Sequence, residues 1–150
     1  MTNVVIITCH DLGNYLGCYG APTLRTPHLD RLAAGGLRFD RAFCTAPQCS
    51  PSRASLFTGR YPHANGVMGL THAEFAWDLY PDERHIGQIL HEHGYRTAML
   101  GIHHESRAEE HEKVAARCGM DEVVPPTRGE DLTNEAIARL ERFARDDQSF

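Results

Sequence analysis

Asn3-Val4-Val5-Ile6-Ile7-Thr8-Cys9-His10-Asp11-Leu12-Gly13 is the stretch that decides the fold class. Residues 3–9 are an unbroken run dominated by β-branched side chains, the composition of a strand buried on both faces of a parallel sheet. His10 and Asp11 follow at once, and a turn-rich stretch then runs to Ala21 with glycines at 13, 17 and 20. Polar residues placed directly after a buried strand suit chemistry, because ligands of open α/β sheets bind beyond the carboxyl ends of the strands.

Downstream, the pattern alternates. Thr26-Pro27 opens a helix, with Thr26 as N-cap and Pro27 at its first position. Leu29, Leu32 and Ala33 form its apolar face, and Gly35-Gly36 stop it. Leu37–Phe43 reads as a strand. A helix is expected over Arg53–Thr58, ended by Gly59, and another over Glu83–His93, ended by Gly94. Tyr95–Leu100 reads as a second buried strand, and residues 107–118 read as helical. Asn134–Arg145 is a strongly amphipathic helix, with Ile137, Leu140, Phe143 and Ala144 on one face. Residues 61–80 show no period and read as a long surface loop, a kind of segment that is often functional. The alternation predicts an α/β class with a mostly parallel sheet. Asp146–Phe150 looks like a turn into another strand, so the expectation is one domain over residues 1–150 that stops mid-fold.

Composition narrows the function. With 41% hydrophobic and 23% charged residues, the chain is expected to be globular rather than disordered. The formal charge is −5 and the 15 basic residues are scattered, so nothing favours nucleic acid or an anionic membrane. No stretch has the length of a transmembrane helix. The first residues lack a basic region and a small-residue cleavage site, and they read as a strand rather than a signal peptide. A cytoplasmic location follows as the expectation. Five cysteines without C-x-x-C spacing argue for thiols rather than a disulfide framework or a zinc site, with Cys9 expected in the core.

Cys49-Ser50-Pro51-Ser52-Arg53, continued by Ala54-Ser55-Leu56-Phe57-Thr58-Gly59-Arg60, is the strongest motif. Four such specified positions arise by chance in roughly one chain in a thousand of this length. A thiol at a helix N-terminus is favoured as an anion, and the same helix end attracts sulfate or phosphate. Taken alone, Cys49 would read as an ordinary buried thiol. The full segment resembles the sulfatase signature C-x-P-S-R followed by Leu-Thr-Gly-Arg. The resemblance extends to Thr26-Pro27-His28-Leu29-Asp30-Arg31-Leu32-Ala33, to Phe39-Asp40-Arg41-Ala42-Phe43 and to Tyr95-Arg96-Thr97-Ala98, and covers about residues 3–105. Within the family, Ser52–Leu70 is most similar to the sulfamidase (N-sulfoglucosamine sulfohydrolase) branch.

The resemblance implies the N-terminal portion of an alkaline-phosphatase-like α/β/α sandwich with metal-assisted hydrolysis of a sulfuric ester or sulfamate. It implies that Cys49 is oxidised to formylglycine by a formylglycine-generating enzyme. The hydrated aldehyde then attacks sulfur, and its second hydroxyl expels sulfate and restores the aldehyde. Arg53 would hold the hydrate and neutralise developing charge. The substrate would be a small sulfated molecule, such as a sulfated sugar.

His10-Asp11-Leu12-Gly13 stands where sulfatases usually carry paired aspartates that bind a divalent cation, usually calcium. Asp11 matches the second aspartate, and His10 occupies the place of the first. With Cys49, these are the expected metal residues. Calcium prefers oxygen, whereas imidazole suits manganese or zinc. The plainer reading is that Asp11 caps a turn. Gly101-Ile102-His103-His104-Glu105 is similar to the family's Gly-Lys-x-His, whose Lys and His contact sulfate and the nucleophile. His104 matches the histidine, but Ile102 replaces the lysine and can donate no hydrogen bond. The plainer reading of 103–104 is a polar loop. His91 and His93 sit near a helix end, where cationic His is favoured, and His63, His72, His85 and His111 read as surface or loop residues. His10 and Ile102 also leave open a phosphonate monoester or phosphodiester hydrolase of the same superfamily, and the expected early stop leaves open a non-catalytic fragment. A complete site is not expected from these 150 residues alone.

Overall fold

The computed structural model describes residues 2–107 and 110–150. Two compact units emerge: Ile6–Cys44, and Thr45–Phe150 together with the residues up to Val5.

In the Ile6–Cys44 unit, a 3-10 turn at Gly17–Tyr19 leads to helix α1, Pro27–Gly35. Proline starts α1 as the sequence predicts, but the Thr26 side chain makes no capping bond to it. Its hydroxyl instead accepts from Gly17 N (2.8 Å) and donates to Asp30 Oδ1 (3.0 Å), tying the turn to the helix. Asp30 also accepts from Cys18 N at 2.7 Å. A Cβ at residue 17 would meet the Asp30 carboxylate at 2.5 Å, so any larger residue there would have to displace this carboxylate from its bonds to Thr26 and Cys18.

The larger unit carries α2 (Cys49–Thr58), α3 (Pro62–Asn65), α4 (Ile86–Glu92), β1 (Ala98–Leu100), α5 (His111–Cys118), β2 (Glu122–Val124) and α6 (Gly129–Phe143). β1 and β2 pair in parallel, with Ala98 opposite Glu122 and Leu100 opposite Val124. Parallel pairing needs a crossover, and α5 supplies it. α4 and α5 approach closely because Gly87 and Gly119 meet there: a Cβ on Gly87 would fall 2.3 Å from Cys118 O, and one on Gly119 2.4 Å from the Gln88 backbone. Ala54, Val67 and Leu79 form a small core beside α2. At the end of the chain, Ser149 O accepts from Arg96 N (2.8 Å) and Phe150 O from Val4 N (2.6 Å).

Several expectations are corrected. Neither residues 3–9 nor Leu37–Phe43 form a strand, since a strand exists only through a hydrogen-bonded ladder. Ile7 is 79% exposed, Phe43 87%, and Cys9 is exposed rather than core. The second strand is Ala98–Leu100, shorter than Tyr95–Leu100 and half-buried. The 53–58 helix starts four residues earlier, at Cys49, and ends at Gly59 in the left-handed conformation. Residues 61–80 are a surface loop only in part: Pro62–Asn65 is helical, and Asn65, Val67, Thr71 and Leu79 are buried. Asn65 supplies the polar closure that lets this segment go inside, accepting from Val67 N (2.9 Å) and donating to Arg60 O (3.0 Å). The 107–118 helix is α5 from His111; residues 108 and 109 lie outside the described ones. The final helix begins at Gly129, with Glu130 and Asp131 favourably placed in its first turn.

Candidate active site

Cys49 is the first residue of α2, half-buried, at the end where the unpaired amides of a helix gather. Its Sγ lies 3.7 Å from His104 Nδ1 and 3.9 Å from Ser50 Oγ. Arg53 is one turn along the same helix and donates from NH1 to Ile102 O at 3.3 Å, which draws its guanidinium to the 101–105 segment. That segment follows β1 directly. Gly101 turns it with φ +88°, and His104 holds φ +55°, a left-handed conformation uncommon for a side-chain-bearing residue. Cys49, Arg53 and His104, chosen from the sequence, are thus brought together. A helix end, an arginine and an imidazole around one thiol suit an anionic tetrahedral group.

Thr71 ties the constellation to the buried part of 61–80. It is 5% exposed; its N donates to Ser50 Oγ (3.3 Å), and its hydroxyl donates to His104 O (3.2 Å). The next residue, His72, places its ring 4.6 Å from that of His104. Neither was chosen from the sequence; only proximity in the fold marks them. His103 faces inward, its Nδ1 buried without a hydrogen-bond partner. Burial, ahead of the neighbouring charges, holds its pKa below the usual histidine value, which keeps the ring neutral.

His10 and Asp11 lie in the Ile6–Cys44 unit. His10 Nδ1 is 2.9 Å from Asp11 Oδ2, both side chains are exposed, and Asp11 has φ +55°. One carboxylate and one imidazole could supply part of a divalent cation's donor set, and the pair does not by itself select the metal.

The sequence read His85 as a surface or loop residue; it stands in the loop end just before α4, but it is fully buried. It caps α4, with Nδ1 accepting from Gly87 N at 3.0 Å and the Gln88 side chain closing the box on His85 N. Its Nε2 faces Glu105 Oε1 at 3.7 Å, and Cys118 stands beside them; all three are buried with ligand atoms within 4.8 Å. No other such group of three or more His, Cys and acidic residues occurs among the described residues. It is nonetheless a poor metal site. Nδ1 accepts a hydrogen bond, so Nε2 carries the ring proton, whereas a ligating nitrogen must be bare. Burial, with Glu105 next, pushes the Cys118 thiol up to about 12. His85 Nε2 and both Glu105 oxygens are buried without a hydrogen-bond partner.

Comparison with known proteins matches residues 2–137 to the family described as Sulfatase. Mouse steryl-sulfatase is 41% identical over 111 residues, covering 68% of this chain and 18% of the relative. Human arylsulfatase A is 43% identical over 104 residues, covering 68% and 20%. The chain therefore spans about a fifth of the length of these relatives. A solved structure described under the metabolism of multiple glycosaminoglycans by Bacteroides thetaiotaomicron superposes with a TM-score of 0.61 at 32% identity, over 76% of this chain and 26% of that one. The α/β class expected from the sequence agrees with that likeness and with the parallel pairing of β1 and β2. These relatives are steryl- and arylsulfatases and do not single out the sulfamidase branch.

Proposed function

The chain belongs to the sulfatase family, and from that premise we propose that it carries the nucleophile and sulfate-facing residues of a sulfuric ester or sulfamate hydrolase. The observation that carries this reading is the 3.7 Å approach of His104 to Cys49 at the N-terminus of α2. In the complete protein, Cys49 is converted to formylglycine by a formylglycine-generating enzyme. His104 Nδ1 moves a proton at the residue-49 side chain or the sulfate ester beside it. Arg53 and the amides of α2 neutralise the charge that grows on the sulfate oxygens. Asp11 and His10 would hold part of a divalent cation's shell. The cation would supply further charge neutralisation. A small sulfated molecule is the substrate, and a sulfated sugar is supported by the description of the solved relative.

The test is to coexpress the complete protein with a formylglycine-generating enzyme and assay aryl sulfate and aryl phosphonate, with Cys49→Ala as control. Sulfate turnover that disappears in Cys49→Ala is expected. Protein converted at residue 49, metal-loaded and inert toward sulfate would sink the reading.

A further inference from the structure

Ile102, two residues before His104, is exposed, and an isoleucine side chain has no donor for an anion. The neighbouring polar side chain comes instead from a different part of the chain. His72 is exposed, and its ring centroid is 4.6 Å from that of His104, inclined at 37°. Its position is fixed from behind. Thr71 bonds Ser50, the residue after Cys49, and the backbone oxygen of His104, so the next residue, His72, is held beside His104. An imidazole carries at least one N–H in every protonation state and can always donate.

We propose that His72 is a sulfate-binding residue that donates a hydrogen bond to the oxyanion of the substrate, in the role that Ile102 cannot fill. This rests on the sulfatase reading. The two imidazoles form an open pair, His104 against the nucleophile and His72 toward solvent. His72 thus meets the anion as it enters, and its contribution falls on binding more than on the chemical step.

The experiment uses the complete protein with His72→Phe, which keeps a flat ring without a donor, and His72→Gln and His72→Lys, which restore donors. Inorganic sulfate binding is measured by calorimetry, and KM and kcat with an aryl sulfate. His72→Phe should weaken sulfate binding about tenfold or more, the worth of one hydrogen bond to a charged group, and raise KM by a similar factor. His72→Gln or His72→Lys should recover most of both. Unchanged sulfate affinity in His72→Phe would overturn the proposal. So would equal losses in all three variants, which would mean the ring matters only for packing. Wild-type protein that binds sulfate but turns over no sulfate ester would count against the sulfatase reading, while the calorimetric series would still decide the role of His72.

Discussion

His104 Nδ1 stands 3.7 Å from Cys49 Sγ across 55 residues of chain. Neither residue's own neighbours in sequence dictate this. It arises because β1 delivers residues 101–105 to the end of α2, and because the Thr71 hydroxyl holds His104 O there.

Replacing that imidazole tests its role. Asn tolerates the left-handed backbone of residue 104 better than most side chains. His104→Asn should therefore fold with a melting temperature within a few degrees of wild type, while kcat falls about 10²- to 10⁴-fold, as loss of a general acid or base does. A kcat within a few-fold of wild type would remove His104 from the chemistry.

Conversion of Cys49 is read by mass. Replacing the CH₂SH group by CHO lowers the peptide holding residue 49 by about 18 Da after coexpression with a modifying enzyme. An unmodified thiol, where a control sulfatase is converted, would count against Cys49 as the precursor.

Asp11 is best probed with asparagine, since the left-handed φ of this residue would add backbone strain to an alanine variant. Asp11→Asn should lower metal content and activity together. His10→Asp should shift metal preference toward calcium by replacing nitrogen with oxygen. Elemental analysis checks both, and full occupancy in Asp11→Asn would exclude it as a ligand.

Cys118 makes stability fall at alkaline pH. Its thiol is raised to about 12 in the folded protein from a reference of 9.0. The unfolded chain releases this proton first, so the group's stabilising effect is complete below pH 9.0 and is lost as pH rises from there through about 12. The slope over that window should approach 1.4 kcal/mol per pH unit for a single site. Denaturant melts of wild type and Cys118→Ala should differ in that slope. In the native state an alkylating reagent should label the exposed Cys9 and Cys44 well before Cys118.

What the sequence determined by itself is local in nature. The Cys49–Arg60 motif carried the family, because a cysteine, a helix start and an arginine one turn later lie within five residues. The stop at Gly59 and the start at Pro27 were equally legible, since each rests on the dihedral preferences of one residue. Tertiary structure decided the rest. β2 has three residues and shows no period, so only its pairing with β1 reveals it. Apolar residues 4–7 read as buried, yet they form no strand and stay exposed, because a β-branched run becomes a strand only where a neighbour meets its hydrogen bonds. His85, Thr71 and His72 have no sequence signature. Burial of a polar side chain depends on partners dozens of residues away, here Glu105 for His85 and Ser50 and His104 for Thr71, and only the folded chain brings them within reach.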